Sequence, residues 1–196
     1  MGAVRDKWNR RYQDKLSAGA APEPNPLALR FASRVQGGWM LDAACGLGTG
    51  IAAVVDRVEL AIGVDLSETA LAAARRHWGD HPKVRWIQAD VARVPWPPGT
   101  FALVCAFGFT DWEFLRQVPR LVKPGGLFLY QGFSRRQREI KPELDPAWTS
   151  TPETIAALFP RWTVLACEES AEPPYRVSFA ALRPADDQQE RARCSG

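Results

Sequence analysis

The residues with the clearest chemical potential are a glycine-rich loop and three carboxylates that each end an apolar run. In residues 41–50, LDAACGLGTG, Asp42 closes one such run, and Gly46, Gly48 and Gly50 then open a helix. Glycines turn the backbone tightly and let a ligand approach where a Cβ would block it. A dinucleotide loop of the GxGxxG type needs a small residue at position 51, where this chain has the branched Ile51. Asp42 would repel a pyrophosphate; it suits a ligand that carries a positive charge and an amino group. Asp65 ends ELAIGVD nineteen residues after Gly46, the place from which an acid accepts hydrogen bonds from both ribose hydroxyls. Asp90 ends KVRWIQAD, where its carboxylate can accept from an adenine amino group while Val91 donates a backbone N–H. Three acids at three successive strand ends make a ligand site outside the carboxyl edge of a sheet.

That geometry needs a sheet, and the pattern of the chain supplies one. Seven apolar runs bounded by turn residues read as strands: 39–43, 59–65, 83–90, 101–107, 126–133, 163–170 and 176–183. Helical patterns alternate with them, at 49–55, from a Ser67 cap to Gly79, at 111–122 until KPGG, and over PETIAALF behind a Thr151 cap with Pro152 at its first position. Only SAEPPY separates the last two strands, too little for a parallel crossover, so they form an antiparallel hairpin. The expected fold is α/β, a seven-stranded, mostly parallel sheet with an antiparallel C-terminal hairpin and helices on both faces. Two helices, 5–16 and 27–35, precede the sheet and are joined by the extended linker AGAAPEPNP. A single domain over 1–184 is expected, with 1–35 a helical cap, 36–184 the core and 185–196 a disordered tail.

With 196 residues, 46% hydrophobic and a net charge of +3, the chain is globular and lacks the clustered basic residues that nucleic acid requires. It has no run long enough to span a membrane and no signal peptide, so a cytoplasmic protein is expected. Cys45, Cys105 and Cys167 lie in apolar runs as small buried hydrophobes, and no metal site is expected among the four cysteines, the fourth being Cys194. Eight tryptophans are the compositional excess; three of them, Trp8, Trp96 and Trp112, fall in segments expected to border a pocket.

The series DAACGLGTG, GVDLS, QAD, VPWPPGTFALV and RLVKPGG resembles the class I S-adenosylmethionine-dependent methyltransferases over residues 39–133, with a Rossmann-like sheet. The resemblance implies S-adenosylmethionine as cofactor. It places Ala44, Cys45, Gly46 and Gly48 along its methionine and ribose portion and Asp42 at its amino group. Asp65 and Leu66 fall at the ribose, Asp90 and Val91 at the adenine, and Phe107 near the sulfonium. WNRRY with its Pro-rich linker, together with FLYQGF and the RRQ after it, resembles the small thiopurine and tellurite-resistance methyltransferases, which implies a lid carrying Trp8, Arg11 and Tyr12. The segment GFTDWEFL lacks the His-Arg phrase of the tellurite-resistance members.

Asp111 and Glu113 follow the fourth strand and are the candidate acid or base residues, against a plain reading as the acidic first turn of a helix. Arg135 and Arg136 follow the fifth strand and, with Trp96 and Trp112, are candidate substrate contacts, against a plain solvated loop. The expected function is methyl transfer to a small-molecule acceptor by a monomer or weak homodimer, with neither nucleic acid nor membrane as partner. The rivals are a module that binds the cofactor without catalysis and an NAD-dependent Rossmann enzyme.

Overall fold

The runs WMLDA and LAIGVD become strands β1 (Trp39–Ala43) and β2 (Leu60–Asp65) in the computed structural model, which describes residues 2–185. The chain forms two compact units that divide between Pro95 and Trp96. In the first unit β2 lies between β1 and β3 (Val84–Gln88), parallel to both, with Asp42 opposite Gly63 and Asp65 opposite Gln88. Almost every residue of β1 and β2 is buried, which accounts for their unbroken apolar character. β3 exposes Arg85, Ile87 and Gln88.

The helices of this unit are α1 (Gly2–Ser17), α2 (Pro26–Phe31), α3 (Thr49–Val54) and α4 (Glu68–Trp78). Ser67 caps α4 by accepting from the Ala70 N–H at 3.1 Å, and Asn25 caps α2 by accepting from Leu27 at 2.9 Å. Both α2 and α3 end sooner than their patterns suggest, each tightening into a 3₁₀ turn at 32–34 and 55–57.

The second unit holds β4 (Phe101–Phe107), β5 (Val122–Ser134), β6 (Thr149–Ser150), β7 (Thr163–Glu169) and β8 (Arg176–Leu182). β5 pairs in parallel with β4 and antiparallel with β8, and β7 and β8 form the predicted hairpin. β6 is an unpredicted two-residue strand parallel to the end of β5. Phe159 is the hub of this core, 5.0 Å from Phe128 and 5.3 Å from Phe179 between ring centroids.

The predicted helix 111–122 is instead two short ones, α5 (Trp112–Leu115) and α6 (Val118–Leu121). Pro119 is the reason: it has no N–H to donate, and its ring would strike the carbonyl of Leu115 in a continuous helix. The helix behind Thr151, α7 (Pro152–Ala156), keeps its predicted cap, and Thr154 reciprocates by accepting from the Thr151 N–H at 2.9 Å. Cys45 and Cys105 are buried as expected, but Cys167 is exposed because β7 pairs only with β8 and most of its residues face water. Cys194 and the tail from residue 186 onward lie outside the described residues. The α/β class read from the sequence stands, mostly parallel with antiparallel C-terminal strands.

Candidate functional site

β1 brings Asp42 to the start of the glycine loop, and the backbone there is held in sparsely populated conformations. Ala44 has φ 52°, the one described non-glycine residue with positive φ, and Gly46 and Gly48 follow at 55° and 84°. Asp42 is 2% exposed, and its Oδ2 has no hydrogen-bond partner among the described residues. Burial pushes this carboxyl up to about 8, against the backbone N–H groups of Ile51 and Gly50, which favour the charged form. A Cβ at position 50 would come within 2.8 Å of Oδ2, so the carboxyl fits only because that residue is glycine.

Asp65 meets the loop from β2. Its Oδ2 accepts from the Gly46 N–H and its Oδ1 from the Ser67 N–H, both at 2.8 Å. Each oxygen keeps a further lone pair for a ligand hydroxyl. Burial raises this carboxyl too, with the same N–H groups acting in the opposite sense.

Tyr12 reaches the loop from α1, its hydroxyl on the face of Gly46 where a side chain would otherwise project. Burial, with Asp65, Cys45 and Asp42 nearby, keeps that hydroxyl protonated, and burial does the same for the Cys45 thiol. Trp8 stands 6.5 Å from the Tyr12 ring, and the exposed Arg11 places its guanidinium 5.1 Å from the Trp8 ring. The structure thus gathers Tyr12, Asp42, Cys45, Gly46 and Asp65, with Gly48 along the same loop.

Three contributors were not singled out from sequence. Asn9 accepts through Oδ1 from the Ser67 hydroxyl at 2.8 Å, tying α1 to α4. Trp78 donates from Nε1 to the Leu47 carbonyl at 3.3 Å, and Trp86 backs Gly48 and Gly63 so closely that neither has room for a Cβ. Asn9 sat inside WNRRY, three residues before Tyr12 and so on the same helix face, which was a usable signal. Asp90 caps the turn after β3, accepting from the Ala92 N–H at 3.2 Å and pairing with Arg93 at 3.3 Å. Val91 beside it is buried, and Leu66 is half-buried.

In the second unit Phe107 is half-buried at the end of β4. Asp111 is committed to capping α5, its Oδ1 accepting from the Phe114 N–H at 2.9 Å, while Glu113 is exposed and Trp112 half-buried. Trp96 is 7% exposed and meets Phe101 edge-on at 5.5 Å, at the amino end of β4. It is therefore a core residue, and the expectation of a pocket wall at Trp96 is corrected. Arg135 and Arg136 line a cavity of about 390 Å³ with Glu139, Thr151, Glu153 and Glu169. Arg136 is engaged there already, 3.8 Å from Glu169 and 4.1 Å over the Tyr175 ring.

Residues 40–126 match the family model of the methyltransferase domain. Over these residues the chain is similar to a methyltransferase domain, the class of domain that the fold and the glycine loop also fit. Among particular relatives, the 2-phytyl-1,4-naphtoquinone methyltransferase of Thermosynechococcus vestitus is 31% identical over 135 residues, 65% of this chain and 60% of that protein. The demethylmenaquinone methyltransferase of Clavibacter sepedonicus is 30% identical over 110 residues, 54% of this chain and 45% of that one. The chain spans less than two thirds of the length of these curated relatives. Two solved structures share the fold. One, described for the conversion of a disulfide bond into a thioacetal group during echinomycin biosynthesis, has a TM-score of 0.67 at 18% identity and covers 97% of this chain and 98% of its own. The other, an S-adenosylmethionine dependent methyltransferase from Mesorhizobium loti, has a TM-score of 0.61 at 19% identity, with coverages of 80% and 96%.

S-adenosylmethionine is the cofactor that this domain implies, and the residues present fit it. A buried carboxylate oxygen without a partner suits an ammonium group, and a second carboxylate with free lone pairs suits a ribose diol. The glycine loop between them leaves room for close approach. Among the described residues no helix is long and apolar enough to cross a membrane.

Proposed function

We propose that this protein transfers a methyl group from S-adenosylmethionine to a small acceptor of quinone-related chemistry. The observation that carries the proposal is the buried, partnerless Oδ2 of Asp42 at the mouth of the glycine loop. Burial makes the charged form of this group costly and keeps it protonated up to about pH 8, and a bound cation would favour the charged form. When bound, the cofactor supplies an electrophilic methyl on a positively charged sulfur. Asp42 accepts from the ammonium group, and Asp65 accepts from the ribose hydroxyls with the lone pairs that Gly46 and Ser67 leave free. Gly46 and Gly48 admit the ligand's backbone side, and Cys45 and Ala44 form the floor beside them. Leu66, Asp90 and Val91 follow the ends of β2 and β3 and are proposed at the ribose and adenine. Trp8, Arg11 and Tyr12 serve as a lid that excludes water. Phe107 is proposed on the family resemblance alone.

On the acceptor side, Trp112 and Arg135 are the proposed contacts, Arg136 being held by Glu169 and Tyr175. The two relatives are named as methyltransferases of 2-phytyl-1,4-naphtoquinone and of demethylmenaquinone, and it is that quinone chemistry that this proposal extends to the present chain. A monomeric or weakly dimeric cytoplasmic enzyme within a single domain, acting on neither nucleic acid nor membrane, goes with this reading. Calorimetry with S-adenosylmethionine, S-adenosylhomocysteine and NAD tests it: the first two are expected to bind, and binding of NAD alone would end the proposal. Release of S-adenosylhomocysteine is then to be assayed over thiols, thiopurines, halides, tellurite, phenols and reduced naphthoquinones. A second reading, a binding module without catalysis, is favoured by the commitment of Asp111 to its helix cap. Cofactor binding without turnover on any member of the panel would support it.

A further inference from the structure

Helix α1 is the least anchored helix over the cofactor loop. None of its residues is fully buried, and only Trp8, Asn9, Tyr12 and Leu16 are half-buried, along one face. Two of these lie against the two residues whose N–H groups hold the Asp65 carboxylate. Asn9 Oδ1 accepts from the Ser67 hydroxyl at 2.8 Å and, more loosely, from the Thr69 N–H at 3.4 Å. The Ser67 backbone N–H donates to Asp65 Oδ1, and the other oxygen of Asp65 holds the Gly46 N–H, each at 2.8 Å. Tyr12, one turn after Asn9 on α1, closes the circuit by covering Gly46.

Resting on the cofactor reading above, we propose that Asn9 is a positioning residue that latches α1 through Ser67 and so sets how long the cofactor stays bound. Three features carry this. The latch shares its serine with Asp65, the carboxylate assigned to the ribose, so α1 is tied down beside that carboxylate and its opening uncovers the surroundings. An amide oxygen at position 9 can meet the Ser67 hydroxyl in only one register of α1, which aims Tyr12 at Gly46. Finally, the linker is fixed at its far end, where the Asn25 N–H donates to the Thr49 carbonyl at 2.9 Å. Release of Asn9 therefore frees α1 and residues 18–24 while leaving α2 in place. Ser67 already accepts from Ala70 to cap α4, so the latch adds a donor role to a hydroxyl whose position is fixed.

The test compares Asn9→Ala and Asn9→Asp with the unaltered protein, leaving Ser67 intact because its loss would also uncap α4. Hydrogen exchange of residues 8–16 is measured without ligand, and S-adenosylhomocysteine dissociation is followed by stopped-flow tryptophan fluorescence. Asn9→Ala is expected to speed both exchange and dissociation, the latter about 3- to 10-fold, the scale of one lost hydrogen bond, with association unchanged. Asn9→Asp keeps the accepting oxygen and is expected to stay within about 2-fold of the unaltered rate. Faster exchange with unchanged dissociation would make Asn9 merely structural and overturn the proposal, as would an Asn9→Asp variant as impaired as Asn9→Ala. If the unaltered protein binds no S-adenosylhomocysteine, the cofactor reading fails and the residence-time claim with it, while the exchange result still shows whether Asn9 anchors α1.

Discussion

Replacing Asp42 by Asn isolates the energetic consequence of burying an ionisable group beneath the loop. Burial lifts this carboxyl from its ordinary 3.8 to about 8. Between those values the folded protein holds a proton that the unfolded chain has released. Its contribution to stability is thus fully present below about pH 4 and is lost progressively as pH rises toward 8. The slope is about 1.4 kcal/mol per pH unit, so from pH 5 to pH 7 this one group is worth roughly 2.7 kcal/mol. Asp65 is shifted in the same direction and contributes the same sign in both proteins, so the comparison between them reports on Asp42. Asn has the shape of the protonated acid and cannot ionise. Urea unfolding followed by circular dichroism at pH 5, 6 and 7 should therefore show Asp42→Asn gaining on the unaltered protein by roughly 2–3 kcal/mol across the range. Parallel pH profiles for the two proteins would refute the reasoning. The more stable variant should also be the poorer binder of S-adenosylmethionine, since it lacks the charge proposed to meet the ammonium.

Other outcomes follow from individual contacts. Asp65→Ala should weaken S-adenosylhomocysteine binding by about 1–3 kcal/mol in calorimetry, because the loop N–H of Gly46 loses its acceptor as well. Tyr130→Phe should cost about 1–2 kcal/mol in urea unfolding. Its hydroxyl lies 2.8 Å from Thr110 and 2.9 Å from Ser150, and both would be left buried without it. Ala44→Gly relieves a positive φ and should leave stability unchanged or raise it by up to about 1 kcal/mol, where an ordinary Ala→Gly change lowers it.

The strands were legible because buried parallel strands are continuous apolar runs, whereas the hydrogen bond from the Gly46 N–H to Asp65 was not read from their spacing. What escaped depended on neighbours that a linear pattern does not name. Tyr130 reads as another apolar member of FLYQGF, and nothing local announces that Thr110 and Ser150 will meet its hydroxyl. Cys167 sits in the short apolar run VLAC much as Cys105 sits in ALVCAF, yet β7 pairs on a single side while β4 is buried along all but its last residue. Trp96 follows Asp90 closely in sequence, but the loop PWPPGT carries it down to the start of β4, where Phe101 covers it. The break at Pro119 could have been read directly, since proline seldom lies deep inside a continuous helix.

The placement of Trp86 has a consequence for how the chain can vary. Its ring fills the volume that a side chain on Gly63 would need, and its far edge presses on Gly48 in the glycine loop while Trp78 leans on it from α4 at 6.3 Å. Four positions on β2, β3, α4 and the loop therefore share one space. A change acceptable at one of them depends on what occupies the others, so their effects on binding will not add. The outer strand of this unit, which faces water and holds no proposed ligand contact within its own bounds, is bound by that shared space to the evolution of the loop.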